Sequence, residues 1–300
     1  MCRLLPVLLL IAAVSVAGCR SSGGKSPEVV ATTTQVADMT RAVAGKAISV
    51  KQILQPNADP HEYEPRPSDA EAVASAKLVI RSGGDVDDWL DGVIGQAGGK
   101  ASVVTLIDSV RRRGADPHWW QDPRNGIAAV EAIRAALSRA DPKGAAGYRA
   151  RAAAYEAKLR ALDKGIRACV AHLPSGQRKL VTSHDALGYY ARRYGFKVIG
   201  AAIPSLSTQA QPSAKSTQRL VNQIRNQHVA AIFPESSLNP KLEQAIARDA
   251  GAKVAGALWA DTLGPKGSTG ATYAGSLAAN TRTIVSALTR GTGNCAALPG

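Results

Sequence analysis

Five histidines occur in the 300 residues, and two of them close the same tripeptide, Asp59-Pro60-His61 and Asp116-Pro117-His118. Proline fixes its own φ and restricts the residue before it, so each loop is stiff where it presents an imidazole. A third histidine, His184, stands just past the run Lys179 to Thr182, and carboxylates stand past two further apolar runs, Glu235 after Val229 to Phe233 and Asp261 after Val254 to Leu258. Three imidazoles and one carboxylate make a donor set for a divalent transition metal. His61, His118, His184 and Asp261 are far apart along the chain, so only the fold can assemble them. Glu235 is open to three readings: a fifth ligand, an acceptor for an imidazole N–H, or a helix-initiating residue, of which the second is preferred. Asp59 and Asp116 either orient the imidazoles beside them or form turns before proline. His172 and His228 read as surface residues. Trp119, Trp120 and Trp259 flank the candidate ligands, where they either exclude water or pack an interface.

The elements that must hold these groups alternate. Short β-branched runs at Val29 to Thr33, Ile48 to Leu54, Leu78 to Arg81 and Val103 to Leu106 are separated by helical patterns near Gln35 to Val43, Ser68 to Ala76, Val86 to Gln96 and Asn125 to Leu137. Such alternation predicts βαβ units on a parallel sheet. From Pro142 to about Cys169 the chain lacks internal proline and places Tyr148, Ala152, Tyr155, Leu159, Leu162 and Ile166 on one helical stripe. A helix of that length bridges two lobes. Alternation then resumes, with strands at Lys179 to Thr182, Val198 to Ala202, Val229 to Phe233 and Val254 to Leu258. The matching helices are Ala186 to Tyr194, Ala214 to Asn226, Lys241 to Ala250 and Ala271 to Leu288. The expected class is α/β, two lobes with parallel sheets joined by one long helix. The expected limits are an N-terminal lobe over 28–140, a linking helix over 141–173 and a C-terminal lobe over 174–300. In open α/β sheets ligands bind beyond the carboxyl ends of the strands, where the candidate donors lie.

Three stretches carry a resemblance: Asn57 to Asp69 (NADPHEYEPRPSD), Asp116 to Pro123 (DPHWWQDP) and Val181 to Tyr190 (VTSHDALGYY), with Phe233 to Ser237 (FPESS) and Asp261 to Leu263 (DTL) after them. In this order they resemble the successive motifs of the zinc/manganese solute-binding proteins of bacterial ABC importers, over essentially the whole mature chain. The resemblance implies two (β/α) lobes joined by a long helix, with metal between them, held by His61 and His118 from the first lobe and His184 and Asp261 from the second. It implies an ABC permease and its ATPase as partners, and no enzymatic activity. Many zinc-importing members carry a His-rich acidic loop before the second ligand, but here Ser109 to Ala115 (SVRRRGA) is basic and has no histidine. Three neutral imidazoles and one carboxylate favour Zn²⁺. Manganese members usually have a carboxylate where His184 stands, which places Mn²⁺ second to Zn²⁺ here.

The chain begins with one positive charge, Arg3, an apolar run from Leu4 to Val14, and small residues up to Gly18 before Cys19. This reads as a signal peptide over 1–18, too short to span a bilayer, with a lipobox that makes Cys19 the lipid anchor and residues 19–27 a tether. The expected location is extracytoplasmic, on the cell membrane. Cys169 and Cys295 then remain, and either pair or stay as separate thiols. Lys and Arg total 37 against 23 Asp and Glu, a formal charge of +14 that does not attract a cation and reads as a solvated surface able to meet anionic lipid heads. No nucleic-acid motif is present, and a monomer is expected. Two rivals stay open on the residues alone. Three ligands with an open position and Glu235 as base describe an exported zinc hydrolase; a protein for metal chelates needs a broader pocket and does not need the three histidines.

Overall fold

A computed structural model describes residues 29–46, 48–98, 100–293, 295 and 298–299. The expected leader, the Cys19 anchor and the tether lie outside the described residues. Strands β1 (Val29–Ala31), β2 (Val50–Gln52), β3 (Leu78–Arg81) and β4 (Ser102–Thr105) form a parallel sheet in the order β2-β1-β3-β4. Strands β5 (Lys179–Thr182), β6 (Lys197–Ala201), β7 (Ala231–Ile232) and β8 (Lys253–Val254) pair in parallel as β5 with β6 and β7 with β8. A parallel bridge from Thr182 to Phe233 joins the two pairs, so the order β6-β5-β7-β8 repeats that of the first sheet.

The last two strands are shorter than the apolar runs suggest. Pro234 has no N–H to donate, so the ladder breaks there and survives as single contacts, Leu258 N to Pro234 O at 2.8 Å and Ser236 N to Leu258 O at 2.9 Å. The helices are α1 (Thr34–Ala44), α2 (Pro67–Ser75), α3 (Trp89–Ala97), α4 (Pro123–Ala140), α5 (Ala145–Ala171), α6 (Gly188–Tyr194), α7 (Ala214–Asn226), α8 (Lys241–Ala250) and α9 (Tyr273–Leu288). Several begin on side-chain caps: Thr33 accepts from Val36 N, Asp122 from Arg124 N with Pro123 at the first turn, and Thr272 from Gly275 N. One expected helix, Val86 to Gln96, divides into a 3₁₀ turn at Asp85–Asp87 and α3. The Asp87 carboxylate causes this by turning back to accept from Ser82 N at 2.6 Å and Gly83 N at 2.9 Å.

Helix α5 has 27 residues and is roughly 40 Å long at 1.5 Å per residue. Its buried stripe is Tyr148, Ala152, Leu159, Leu162, Asp163, Ile166, Cys169 and Val170. The main apolar core runs unbroken from Val29, Leu78 and Ile80 under the first sheet, through α4 and α5, to Tyr190, Tyr194, Phe196 and Leu277 beside the second. The helix is therefore a wall shared by both lobes. Asp163 on its buried face accepts from Arg193 Nε at 2.9 Å and Tyr194 OH at 3.0 Å, which fastens α6 to it. Burial raises the Asp163 pKa, but the Arg193 guanidinium overcomes that and holds it below the usual carboxylate value.

Cys169 near the end of α5 is bonded to Cys295, with Cα atoms 5.0 Å apart and 126 residues between them in sequence. Leu298 and Pro299 pack over Gly165, where a Cβ would lie 3.0 Å from Leu298 Cδ1. A cross-link of such span constrains the unfolded chain most. Cys295→Ser, or reduction of the wild type, is expected to cost about 2–4 kcal/mol, read as a lower thermal midpoint; an unchanged midpoint counts against a disulfide in solution.

Candidate metal centre

Each candidate donor stands beyond the carboxyl end of a strand. His61 lies on the loop between β2 and α2, His118 on the loop between β4 and α4, His184 just past β5, and Asp261 on the segment between β8 and α9. Both sheets point these ends at each other. One donor atom from each of the four lies within 4.8 Å of the rest. Asp261 Oδ2 is 3.0 Å from His184 Nε2 and 3.3 Å from His61 Nε2, and Asp261 Oδ1 is 3.5 Å from His118 Nε2. The Nε2 atoms of His118 and His184 are 3.3 Å apart. His118, His184 and Asp261 are at most 1% exposed, and His61, at 9%, is the candidate donor nearest solvent.

The two Asp-Pro-His tripeptides do different work. Asp116 Oδ1 accepts from the backbone N of His118 at 3.0 Å and lies 2.8 Å from its Nδ1, so it both forms the turn and aims the ring. Asp59 Oδ1 accepts from the backbone N of His61 at 2.9 Å and acts on the turn. Glu235 Oε2 is 2.9 Å from His184 Nδ1, close enough for an ion pair though out of line for a straight hydrogen bond. Its Oε1 accepts from Ser237 Oγ at 2.9 Å and Asp261 N at 3.3 Å. Each of His118 and His184 thus offers Nε2 to the cleft while a carboxylate faces Nδ1, which selects the tautomer that leaves Nε2 free to bind.

Asp261 is carried by the second lobe but is anchored from the first. The carbonyl of Ala260 accepts from Trp120 Nε1 and from Gln121 Nε2, both at 2.8 Å. Leu263 N donates to Thr34 Oγ1 at 2.8 Å, and Asn57 N to Thr262 Oγ1 at 3.1 Å. From the other side Asn280 on α9 brackets Trp259, accepting from its N and donating to its O at 2.8 Å each. Tyr273 OH donates to Trp120 O at 2.6 Å. A Cβ at Gly126 would lie 2.6 Å from that hydroxyl, so the close approach of α4 requires glycine there. Trp119 Nε1 donates to Ser82 Oγ at 3.0 Å. These tryptophan contacts were not foreseen from sequence as hydrogen-bonding roles; the nearness of the rings to the ligands was the available signal. His172 and His228 are exposed and take no part in the cluster.

Charge governs the cluster. Burial disfavours the Asp261 anion, but the neighbouring imidazoles of His184 and His118 reverse this and hold its carboxyl well below the usual range. Burial likewise opposes charge on His184 and His61. The Asp261 and Glu235 carboxylates drive His184 well above the ordinary imidazole value, and Asp261 raises His61. Glu235 is pushed up by burial and by repulsion from Asp261. In the metal-free protein, protons on the imidazoles balance the buried acids. A raised folded-state pKa stabilises the fold fully below the unfolded value of about 6.5 and ceases to do so as pH climbs through the folded value. Metal-free protein is therefore expected to lose thermal stability as pH rises from about 6 to 9, and Asp261→Asn to flatten that dependence; a metal-free midpoint that climbs with pH in wild type contradicts this charge arrangement.

Comparisons with known proteins agree with this architecture. Residues 29–287 match the family profile described as zinc-uptake complex component A, periplasmic (ZnuA). The manganese-binding lipoprotein MntA of Bacillus subtilis (strain 168) is 33% identical over 299 residues, spanning 93% of this chain and 97% of that protein. The iron-binding protein YfeA of Yersinia pestis is 31% identical over 256 residues, with 82% of each chain covered. Among solved structures, the periplasmic zinc-binding protein TroA of Treponema pallidum superposes with a TM-score of 0.82 at 30% identity, covering 88% of this chain and 99% of that one. On this match over nearly the whole chain, the protein belongs to the ZnuA family.

Proposed function

We propose that this protein is an extracytoplasmic receptor that captures Zn²⁺ through His61, His118, His184 and Asp261 and passes it to an ABC permease and its ATPase. The observation that carries the proposal is the convergence of four buried donor atoms from two lobes within 4.8 Å of one another. Relatives named as metal-binding lipoproteins of ABC transporters support the transport role, and Cys19 offers the lipid attachment that such names describe. Among the described residues no helix is long and apolar enough to cross a membrane. The receptor acts as a monomer, with metal held between lobes over 28–140 and 174–300 and the helix of 141–173 as their common support. A charged ion in this cleft replaces the imidazole protons, so capture releases protons and weakens in acid.

The choice of ion rests on ligand chemistry. Three imidazole nitrogens with one carboxylate suit zinc and bind it ahead of manganese in the Irving–Williams order. Manganese remains the second reading because MntA, a manganese-binding lipoprotein by name, is a relative at 33% identity. Glu235 orients His184 and balances its charge without binding the ion. The Asp261 carboxylate occupies the position that a catalytic zinc keeps for water, which argues against a hydrolase.

Zinc reloading after refolding from chelator, with manganese competing, tests the reading. One equivalent of zinc is expected, retained against excess manganese. His61→Ala and His184→Ala are each expected to weaken zinc by about 100-fold or more in chelator competition, and Glu235→Gln by about 10–100-fold at unchanged stoichiometry. Wild-type affinity in both histidine variants overturns the ligand assignment, and preferential loading by manganese overturns the choice of ion. The loop bearing His61 is also latched across the cleft, its carbonyl accepting from Gln209 Nε2 at 2.6 Å. Loss of one such bond, worth about 1 kcal/mol, is expected to speed zinc dissociation about fivefold in Gln209→Ala; an unchanged rate removes the latch from the account.

A further inference from the structure

The basic loop ahead of His118 has no part in the metal centre, yet it forms one side of a cavity of about 300 Å³. Five arginines line it from three segments: Arg111, Arg112 and Arg113 on the loop after β4, Arg124 at the start of α4, and Arg192 on α6. The first two segments belong to the half that carries His118, and α6 follows His184, so the cavity lies on the seam between the halves. Three of the guanidiniums are matched by acids, Arg112 by Asp108, Arg113 by Asp116 at 3.0 Å and Arg124 by Asp122 at 2.7 Å. Arg111 and Arg192 have no acidic partner among the described residues. Asp122 is the one acid in the lining, and its carboxylate is already committed to Arg124 and to the N-terminus of α4.

We propose that this cavity binds a phosphate-type oxyanion, free in solution or as the headgroup of an anionic phospholipid. Arg111 and Arg192 leave unbalanced positive charge at the exposed mouth of the cavity, and an anion offsets that charge. Arginine presents a planar fork of donors that matches phosphate oxygens. A tetrahedral oxyanion turns its oxygens in several directions and so can meet the two uncommitted forks, Arg111 from the loop and Arg192 from α6. The wall is close-packed as well as charged: at Gly188, the first residue of α6, a Cβ would lie 2.6 Å from Asp116 Oδ2, so α6 comes up against the Arg113–Asp116 pair. An anion seated here ties the loop before His118 to α6 across the seam.

Thermal denaturation of the metal-free protein in inorganic phosphate, against chloride at equal ionic strength, tests the site. Phosphate is expected to raise the midpoint by about 3 °C with saturation, and chloride to leave it unmoved. In the double variant Arg111→Gln/Arg192→Gln, which breaks no ion pair found in the structure, the midpoint without phosphate is expected to hold while the phosphate shift disappears. Should that variant melt early, Arg111→Lys/Arg192→Lys keeps the charge without the fork and is expected to lose at least half the shift. A full phosphate shift in either variant, or an equal shift in chloride, overturns the proposal. Flotation with vesicles of phosphatidylglycerol and of phosphatidylcholine identifies the source. Binding to phosphatidylglycerol that free phosphate displaces and the double variant loses assigns the site to headgroups, and binding that neither alters assigns it to the free anion.

Discussion

A carboxylate enclosed by three imidazoles, out of reach of water, sets the terms for the rest of this molecule. Taking a charge such as that of Asp261 out of water is costly unless an opposite charge stands beside it. The partners come from both halves of the chain, so the charge is satisfied when the halves are together. Hydrogen bonds reinforce the same demand, because the peptide leading into Asp261 is held by Trp120 and Gln121 from across the cleft. The segment that supplies the anion is thus fixed to the lobe that supplies two of the imidazoles.

This arrangement has consequences for movement. A core that runs continuously through α5 does not readily bend between two independent bodies. Among the four donors the one on the loop between β2 and α2, His61, lies nearest solvent. That loop has no regular structure, and Asn57 within it adopts a left-handed φ of 64°. It is tied to the second half by Asn57 to Thr262, by Gln209 to the His61 carbonyl and by the His61 ring to Asp261.

Much of this is legible in the sequence. The repeated Asp-Pro-His, the placement of His184, Glu235 and Asp261 after apolar runs, and the stripe on the long helix each follow from local rules of backbone and periodicity. The two halves read as parallel α/β units, and their sheets have the same strand order. What stayed hidden depends on three-dimensional neighbours. Identical tripeptides gave no hint that Asp116 reaches its imidazole while Asp59 stops at a backbone N–H. Pro234 lies inside the FPESS stretch, but the early end of β7 shows only once the partner strand is in place. The loop of Ser109 to Ala115 reads in sequence as basic and without histidine, and the cavity it lines is not visible there because α4 and α6 come from other parts of the chain.

X-ray absorption at the zinc edge of the loaded protein probes the coordination shell itself. The account predicts a four- or five-coordinate shell with three imidazoles and carboxylate oxygen at about 2.0–2.2 Å. A shell with fewer than three imidazoles, or a six-coordinate one dominated by water oxygens, contradicts it.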